Sequence, residues 1–258
     1  MTQPNRALAG QSRPLLINTV LALAFAAMGA VGGWLWQSHR GRADDAVIGK
    51  GERAAIEQVV HDYLLAHPEV LPKAMDELQR RQNAHQLSGL RADLERPATG
   101  VVLGNPQGKV VLVEFTDYAC GYCRKSVADV DALIAADPDL KVVVRELPIL
   151  TPESADAAKW AIAAGEQGKY AAFHRAMFQS GRPNAETIAA AAQVAGLDLA
   201  RARTVIARPE TEAELVRNLQ MAKDLGFTGT PSWVAGDALL TGAVGEEQLS
   251  KAVADARS

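Results

Sequence analysis

Cysteine and histidine are both scarce in this sequence. Cys120 and Cys123 are the only two cysteines among 258 residues, and the chain has five histidines. A structural zinc site needs four ligands, which one Cys-x-x-Cys pair cannot supply. A permanent disulfide across so short a loop would remove little entropy from the unfolded chain, and a domain of this size does not need one.

An excess of positive charge is also missing. The net charge is -3 and the pI is about 6.0, so no broad cationic surface is available for phosphate backbones, and nucleic acid is excluded as an expected partner. The chain has no internal repeat and no low-complexity tract. With 48% hydrophobic and 22% charged residues, it can bury a full core and form one large domain with appendages.

Residues 15–36, "LLINTVLALAFAAMGAVGGWLW", contain no charge and are long enough as a helix to cross a hydrocarbon layer of about 30 Å. Arg6 and Arg13 precede this run and favour an amino terminus inside the cell, although Arg40 and Arg42 weaken the bias. The rest of the chain is then expected on the periplasmic side of a bacterial inner membrane.

Two fates of this apolar run remain open. Trp34 and Trp36 lie where an aromatic belt would anchor a retained transmembrane helix. Ala24-Phe25-Ala26 has the small-x-small form of a signal-peptidase site, which would release a soluble periplasmic protein.

The pattern after the apolar run predicts a helical extension and then an α/β body. In residues 51–86, two amphipathic stretches are separated by His67-Pro68. Their apolar stripe needs a partner, which is either the chain's own α/β domain or the same element of another subunit. His61, His67 and His85 have no cysteine beside them and are expected to be solvated or capping residues.

The body begins with a short β run and a strand over Lys109–Phe115, followed by a helix over Arg124–Ala136 and a strand over 140–147. This order is a βαβ unit, which places Cys120 at the carboxyl edge of a sheet. An Ala-rich block over about 151–225 predicts four or so inserted helices. Two short strands around Gly236-Asp237 and a helix from about 245 complete the domain.

The predicted organisation therefore has five parts. They are a cytoplasmic n-region at 1–14, the anchor or signal at 15–36, a linker at 37–50, a helical extension at 51–90, and the α/β domain at 100–256.

The two cysteines fit dithiol/disulfide exchange. Cys120 at the start of a helix would have its thiolate stabilised by free N–H groups and the helix dipole, and Cys123, one turn further in, would be shielded. Arg124 and Lys125 could add positive potential, or simply be solvated. Binding of copper(I), which needs fewer thiolates than zinc, remains open as an alternative from another class.

"VLVEFTDYACGYCRKS", followed far downstream by "GTPSWV", resembles the DsbA-like branch of the thioredoxin superfamily, and "GKYAAFHRAMF" in the inserted block fits as well. The helix pair with "YLLAHPEVL" resembles the amino-terminal extension of ScsC-type members, some of which use it to oligomerise. The resemblance implies a thioredoxin-like α/β fold with an inserted helical domain. It also implies cysteine-containing protein substrates.

The same resemblance assigns roles to individual residues. Cys120 matches the nucleophile, Cys123 the resolving cysteine, and Thr230-Pro231 the cis-proline loop that faces the disulfide and pairs with substrate. Glu114 matches a buried carboxylate that relays the proton of Cys123. Taken alone, Thr230-Pro231 could be an ordinary turn and Glu114 a solvated edge residue. His174 is expected to be a packed residue outside the site.

The dipeptide between the cysteines bears on the direction of the reaction. Gly121-Tyr122 differs from the Pro-His of strongly oxidising DsbA proteins and, with Thr before the proline, is similar to DsbC-type isomerases. We therefore expect an isomerase or reductase, with a DsbA-like oxidase as the alternative. No cofactor beyond the cysteine pair and no bound metal are expected, and a membrane thiol/disulfide protein is the expected redox partner.

Overall fold

The computed structural model describes residues 49–257 together with Gly29, Gly32 and Gly33. Apart from those three glycines, the n-region, the apolar run at 15–36 and most of the predicted linker lie outside the described residues. Among the helices in the described part of the chain, none is long and apolar enough to cross a membrane.

The described chain forms ten helices and five strands. The helices are α1 (Lys50–Ala66), α2 (Val70–Leu87), α3 (Arg91–Leu94), α4 (Gly121–Ala136), α5 (Pro152–Gly165), α6 (Tyr170–Gln179), α7 (Ala185–Val194), α8 (Leu199–Ile206), α9 (Pro209–Asp224) and α10 (Glu246–Asp255). The strands are β1 (Val102–Gly104), β2 (Val110–Thr116), β3 (Leu140–Glu146), β4 (Ser232–Ala235) and β5 (Ala238–Thr241).

The chain divides into two compact units, residues 1–72 and 73–258. In the first unit, α1 ends at Ala66 and the backbone N–H of His67 caps it by donating to the carbonyl of Tyr63. The predicted break at His67-Pro68 is therefore confirmed. Val59 and Tyr63 on α1 are 69% and 54% exposed.

The second unit is built on one mixed sheet with the strand order β1-β3-β2-β4-β5. The central pair, β2 and β3, is parallel, and the other three pairs are antiparallel. The predicted β-α-β unit is β2, α4 and β3, so the loop that leads into the cysteines leaves the carboxyl end of a central strand, as the sequence indicates.

Apolar side chains cover both faces of this sheet. Along β2, Leu112 belongs to one buried cluster with Cys120 and Cys123, and Val113 and Phe115 belong to a second cluster with Leu94. Alternate residues of a strand point to opposite faces, so a run as apolar as "VVLVEFT" is what a strand buried on both faces requires.

The inserted block between β3 and β4 holds five helices, α5 to α9, where four or so are predicted. The chain turns between α7 and α8 at Gly196, whose φ is +67°. At the base of the block, Gly100 has a φ of +73°, and a Cβ there would meet the carbonyl oxygen of Gly165. The strand-entry segment thus contacts the end of α5 without a side chain between them.

Candidate active site

The loop after β2 places Cys120 as the N-cap of α4. Its φ and ψ of -80° and 116° are extended, and its Sγ accepts a hydrogen bond from the backbone N–H of Cys123 at 3.3 Å. Asp117, 1% exposed, holds the loop: one carboxylate oxygen accepts from Ala119 N, and the other accepts from Ile149 N and Leu150 N, all at 2.8–2.9 Å. The free N–H groups at the start of α4 thus lie beside Cys120 Sγ.

The distant Gly-Thr-Pro segment returns to this sulfur. The Thr230–Pro231 peptide bond is cis, as the resemblance implies, and Cys120 Sγ lies 3.2 Å from the carbonyl oxygen of Thr230. Residues 120 and 230 are 110 positions apart, and the pairing of β2 with β4 brings them together. The sequence prediction that this loop faces Cys120 is confirmed in geometry.

The two thiols have opposite environments. Hydrogen bonding from Cys123 lowers the pKa of Cys120 to about 5, so its thiolate is the stable form at neutral pH. Burial raises the pKa of Cys123, which is 0% exposed and keeps its proton. Cys120 is only 5% exposed, less than expected for an attacking thiol, because the Thr230-Pro231 loop packs beside it.

Glu114 is 2% exposed on the central strand β2, where it is paired with Val144 of β3 and Trp233 of β4. The alternative of a solvated edge residue is therefore wrong, because β2 is not an edge strand. Burial raises the pKa of Glu114 to about 8, so this carboxyl is largely neutral at pH 7 and its conjugate base is a stronger proton acceptor than an exposed glutamate.

The motif dipeptide faces solvent. A Cβ added to Gly121 would have no neighbour within 4 Å, and Tyr122 is 63% exposed with Lys125 Nζ 5.6 Å from the centre of its ring. Arg124 donates to the carbonyl of Gly181 at 2.7 Å, so it joins α4 to the inserted block as well as adding charge.

A polar cluster beside the loop was not predicted from the sequence. The phenol of Tyr118 donates to Glu146 Oε1 at 3.1 Å, the phenol of Tyr170 donates to the same oxygen at 2.9 Å, and each phenol lies 3.2 Å from His174 Nδ1. His174 is packed, as expected, and its burial lowers its pKa to about 3. Glu146 could have been found from the sequence, since a carboxylate in "VVVREL" is as anomalous as one in "VLVEF".

Within residues 49–257, no three side chains of the His, Cys, Asp and Glu types lie together so as to hold a metal ion. His61, His67 and His85 are all exposed. The arrangement that the structure does present is a stabilised thiolate, a buried thiol three residues on, and a carboxyl beneath them. These groups can perform nucleophilic exchange at sulfur.

Comparison with family models gives two matches. Residues 111–254 match the DSBA-like thioredoxin domain, and residues 52–85 match the copper resistance protein ScsC N-terminal domain. The first match contains both cysteines and Thr230-Pro231, and the second falls on α1 and α2.

Solved structures of thioredoxin-like oxidoreductases and of ScsC are also similar to this chain. A thioredoxin-like oxidoreductase from Silicibacter pomeroyi DSS-3 is 44% identical, with a TM-score of 0.62 over 65% of this chain and 97% of that chain. Proteus mirabilis ScsC in a transitional conformation is 26% identical, with a TM-score of 0.60 over 82% and 98%. The thiol-disulfide exchange protein alpha-DsbA2 from Wolbachia pipientis is 29% identical, with a TM-score of 0.62 over 70% and 97%.

Among curated proteins, the chain is 28% identical over 158 residues to the Na(+)/H(+) antiporter NhaA 1 of Salinispora arenicola (strain CNS-205). That similarity covers 60% of this chain but only 24% of the antiporter, so the chain spans about a quarter of the relative's length. Since the family model matches residues 111–254, more than half of the 258 residues, the chain belongs to the DSBA-like thioredoxin domain family.

Proposed function

We propose that this protein exchanges disulfides of cysteine-containing protein substrates through Cys120 and Cys123, and that it works as an isomerase or reductase. The observation that carries the proposal is the position of Cys120 Sγ: it is at the start of α4, 3.2 Å from the carbonyl of Thr230 in a cis-proline loop, with a buried thiol at Cys123. The two cysteines thereby have the unequal reactivity that exchange requires.

In the proposed reaction, the Cys120 thiolate attacks one sulfur of a client disulfide, and the other client sulfur leaves as a thiolate. Backbone groups around Thr230-Pro231 would pair with the extended client strand. Pro231 has no N–H, so it would not compete with the client for the thiolate. The ionised form of Glu114 then takes the proton of Cys123, and the Cys123 thiolate attacks Cys120 Sγ, which releases a reduced client. If a second client thiol attacks first, the client leaves with a rearranged disulfide.

The direction of the reaction is inferred from the motif dipeptide. Gly121 has no side chain to contact Cys120, and the ring of Tyr122 faces solvent and Lys125. The cysteine pair thus lacks an intervening histidine that would further stabilise the thiolate, and a less stabilised thiolate favours reduction or reshuffling over strong oxidation. A DsbA-like oxidase is the alternative direction.

Assembly through the helix pair is part of the same proposal. Residues 52–85 match the ScsC N-terminal domain, and α1 exposes Val59 and Tyr63 on the predicted apolar stripe. A second copy of the same stripe would bury these side chains and place several active sites in one particle, which raises the local concentration of thiols around a misfolded client.

We further propose that the protein acts on the periplasmic side of a bacterial inner membrane. The charge-free run at 15–36 and the arginines before it support this placement, as an anchor or as a signal. A membrane thiol/disulfide protein would return the cysteine pair to its working redox state. No cofactor is required for the steps above.

The test of direction uses a client with scrambled disulfides. Added in catalytic amounts, the reduced protein is expected to restore the client's native disulfides if it is an isomerase, or to reduce the scrambled disulfides if it is a reductase. Its Cys120→Ser variant is expected to do neither. An oxidase would instead oxidise a reduced client rapidly and leave the scrambled client unchanged, which would overturn the isomerase or reductase assignment.

Copper(I) handling is a second candidate function. It is favoured by the match of residues 52–85 to a domain of a copper resistance protein, together with the adjacent thiols of Cys120 and Cys123. If the wild type binds copper(I) stoichiometrically and the Cys123→Ser variant traps no mixed disulfide with any client, this function replaces exchange.

A further inference from the structure

Glu146 lies at the end of β3, 1% exposed, with its side chain on the face of the sheet that carries the cysteines. In the β2–β3 pairing, Glu146 is opposite Thr116, and Glu114 precedes Thr116 by two residues. Residues two apart on a strand share a face, so Glu114, Thr116 and Glu146 form a polar line beneath the active-site loop. The neighbouring Arg145 points to the other face, where it pairs with Glu214.

The carboxyl of Glu146 is only half satisfied. Oε1 accepts from the phenols of Tyr118 and Tyr170, whereas Oε2 is buried without a hydrogen-bond partner. A buried carboxylate with an unpaired oxygen is costly, and the carboxylic acid is less so. Burial raises the pKa of Glu146 to about 8, and the charges of Asp117 and Glu114 raise it as well.

The cluster can hold a proton in more than one arrangement. Both phenols lie within reach of Glu146 Oε1 and His174 Nδ1, so rotation of an O–H bond changes which group accepts without moving a heavy atom. Tyr118 precedes Cys120 by two residues, so its hydrogen bonds join the cluster to the active-site loop. The titratable groups that face Glu146 are Glu114 on β2, Asp117 and Tyr118 in the loop, and Tyr170 and His174 on α6.

We propose that Glu146 is a second buried acid of this site, which, with Tyr118, Tyr170 and His174, takes up a proton when the cysteine disulfide is reduced and so adjusts how readily it is reduced. Glu146 is a positioning residue, since it acts through Tyr118 and Glu114 and does not touch the cysteines. The inference rests on the proposed role of Cys120 and Cys123 and holds for either direction of the reaction.

The proton balance gives the cluster its role. When a client dithiol reduces the pair, the Cys120–Cys123 bond breaks, two electrons enter, and the client releases two protons as its own disulfide forms. One proton stays on Cys123, and Cys120 remains a thiolate because its pKa is about 5. At a pH where Glu146 is ionised in the oxidised protein, the second proton is held by this buried acid, since a new negative charge nearby favours the neutral form of a carboxyl. At lower pH the second proton is released to solvent.

The test compares wild type with Glu146→Gln, which keeps the size and polarity of the neutral acid but cannot ionise. The equilibrium with glutathione is measured from about pH 6 to about pH 10, a range that brackets the raised pKa of Glu146. Below about pH 7 the two proteins are expected to agree. Above about pH 8 the variant is expected to be the more readily reduced. If reduction shifts the pKa of Glu146 by about one unit, the ratio of the two equilibrium constants with glutathione should rise to roughly tenfold.

Tyr170→Phe is the second variant, because it keeps the acid and removes one hydrogen bond to its charged form. The pKa of Glu146 in Tyr170→Phe is therefore expected to be higher. The glutathione equilibrium of this variant should depart from that of Glu146→Gln at a higher pH than the wild-type equilibrium does. Parallel curves for wild type and Glu146→Gln at every pH, with only a constant offset, would show a purely structural role and overturn the inference.

A titration of ¹³C-labelled glutamate carboxyls keeps the inference testable if Glu146→Gln fails to fold. In a Glu114→Gln background, one buried carboxyl signal is expected to titrate near pH 8 in the reduced protein and at lower pH in the oxidised protein. A signal already ionised at about pH 6, or one with the same midpoint in both redox states, contradicts the inference. Failure of the proposed exchange is seen separately, as a wild type that does not react with glutathione.

Discussion

At the scale of single residues, Cys120 links the site to the stability of the reduced protein. Its pKa falls from a usual value of 9.0 to about 5 in the folded state, so between these pH values the unfolded chain binds more protons than the folded one. The thiolate therefore stabilises the folded state fully above about pH 9, and this contribution is lost as the pH falls through about 5.

The first prediction follows from that linkage. Under reducing conditions, the free energy of unfolding of wild type is expected to fall relative to that of Cys120→Ser as the pH is lowered from about 8 to about 5. Denaturant unfolding at a series of pH values measures the difference. If the two curves stay parallel over this range, the folded state does not stabilise the thiolate.

Glu114 carries the second prediction. Glu114→Gln removes the proposed proton acceptor of Cys123 while keeping the size of the side chain. The attack by Cys120 should then be little affected, and the resolving attack by Cys123 should slow by about 10²-fold or more. Stopped-flow measurement of the decay of a mixed disulfide with a small peptide reports this step. An unchanged rate of decay would remove Glu114 from the mechanism, and Glu153→Gln, at an exposed position of α5, is the matched control.

At the scale of elements, one buried cation ties three segments together. Arg145 on β3 is 3% exposed and donates to the carbonyl of Leu94 at the end of α3, to Glu214 Oε1 at 2.9 Å on α9, and to Asn218 Oδ1 at 3.3 Å. It also donates to the carbonyls of Asp93 and Arg96. These bonds fix the segment that enters the domain against the sheet and the inserted helices.

The third prediction concerns this contact. Arg145→Met leaves the buried Glu214 with Arg217 as its remaining cationic partner and removes the donor to the carbonyl of Leu94, so it should lower the free energy of unfolding by about 3–5 kcal/mol. Arg175→Met is the matched control, since Arg175 pairs with Asp131 on the surface and should cost less than about 1 kcal/mol. Equal losses from the two variants, measured by urea unfolding, would contradict the account of Arg145.

The sequence predicts elements well where a local pattern decides them and poorly where contacts across the fold decide them. The strand of Glu114, the break at His67-Pro68 and the helix that begins after Cys120 were all predicted from the order of residue types. The cluster of Tyr118, Tyr170 and Glu146 was not, because its members come from three separate segments and their hydrogen bonds depend on packing of the inserted block. The resemblance, not residue spacing, indicated the cis form of Thr230–Pro231.

At the scale of the whole molecule, we propose that the helix pair of α1 and α2 assembles several copies of the catalytic domain. Val59 on α1 is 69% exposed, and Val194 on α7 of the catalytic domain is 75% exposed. The two valines are alike in exposure and differ in the element that carries them. They therefore make a matched pair for a test of assembly.

The fourth prediction uses this pair. Val59→Glu is expected to convert an oligomer to a smaller species in light scattering and to reduce reshuffling of a scrambled client, because a buried charge disfavours the helix contact. Exchange with a small peptide should be unchanged, since the cysteines are untouched. Val194→Glu should alter none of these quantities. A loss of mass with Val194→Glu, or none with Val59→Glu, would place the contact elsewhere.

In the proposed reaction Cys120 attacks the client disulfide and Cys123 resolves the mixed disulfide. Trapping of the mixed disulfide distinguishes these two roles. Cys123→Ser retains the stabilised thiolate but removes the thiol that releases the client, so mixed disulfides with client proteins should accumulate and run as slower bands on non-reducing gels. Such bands are expected for Cys123→Ser and none for Cys120→Ser. Bands with Cys120→Ser, or with neither variant, would contradict these roles.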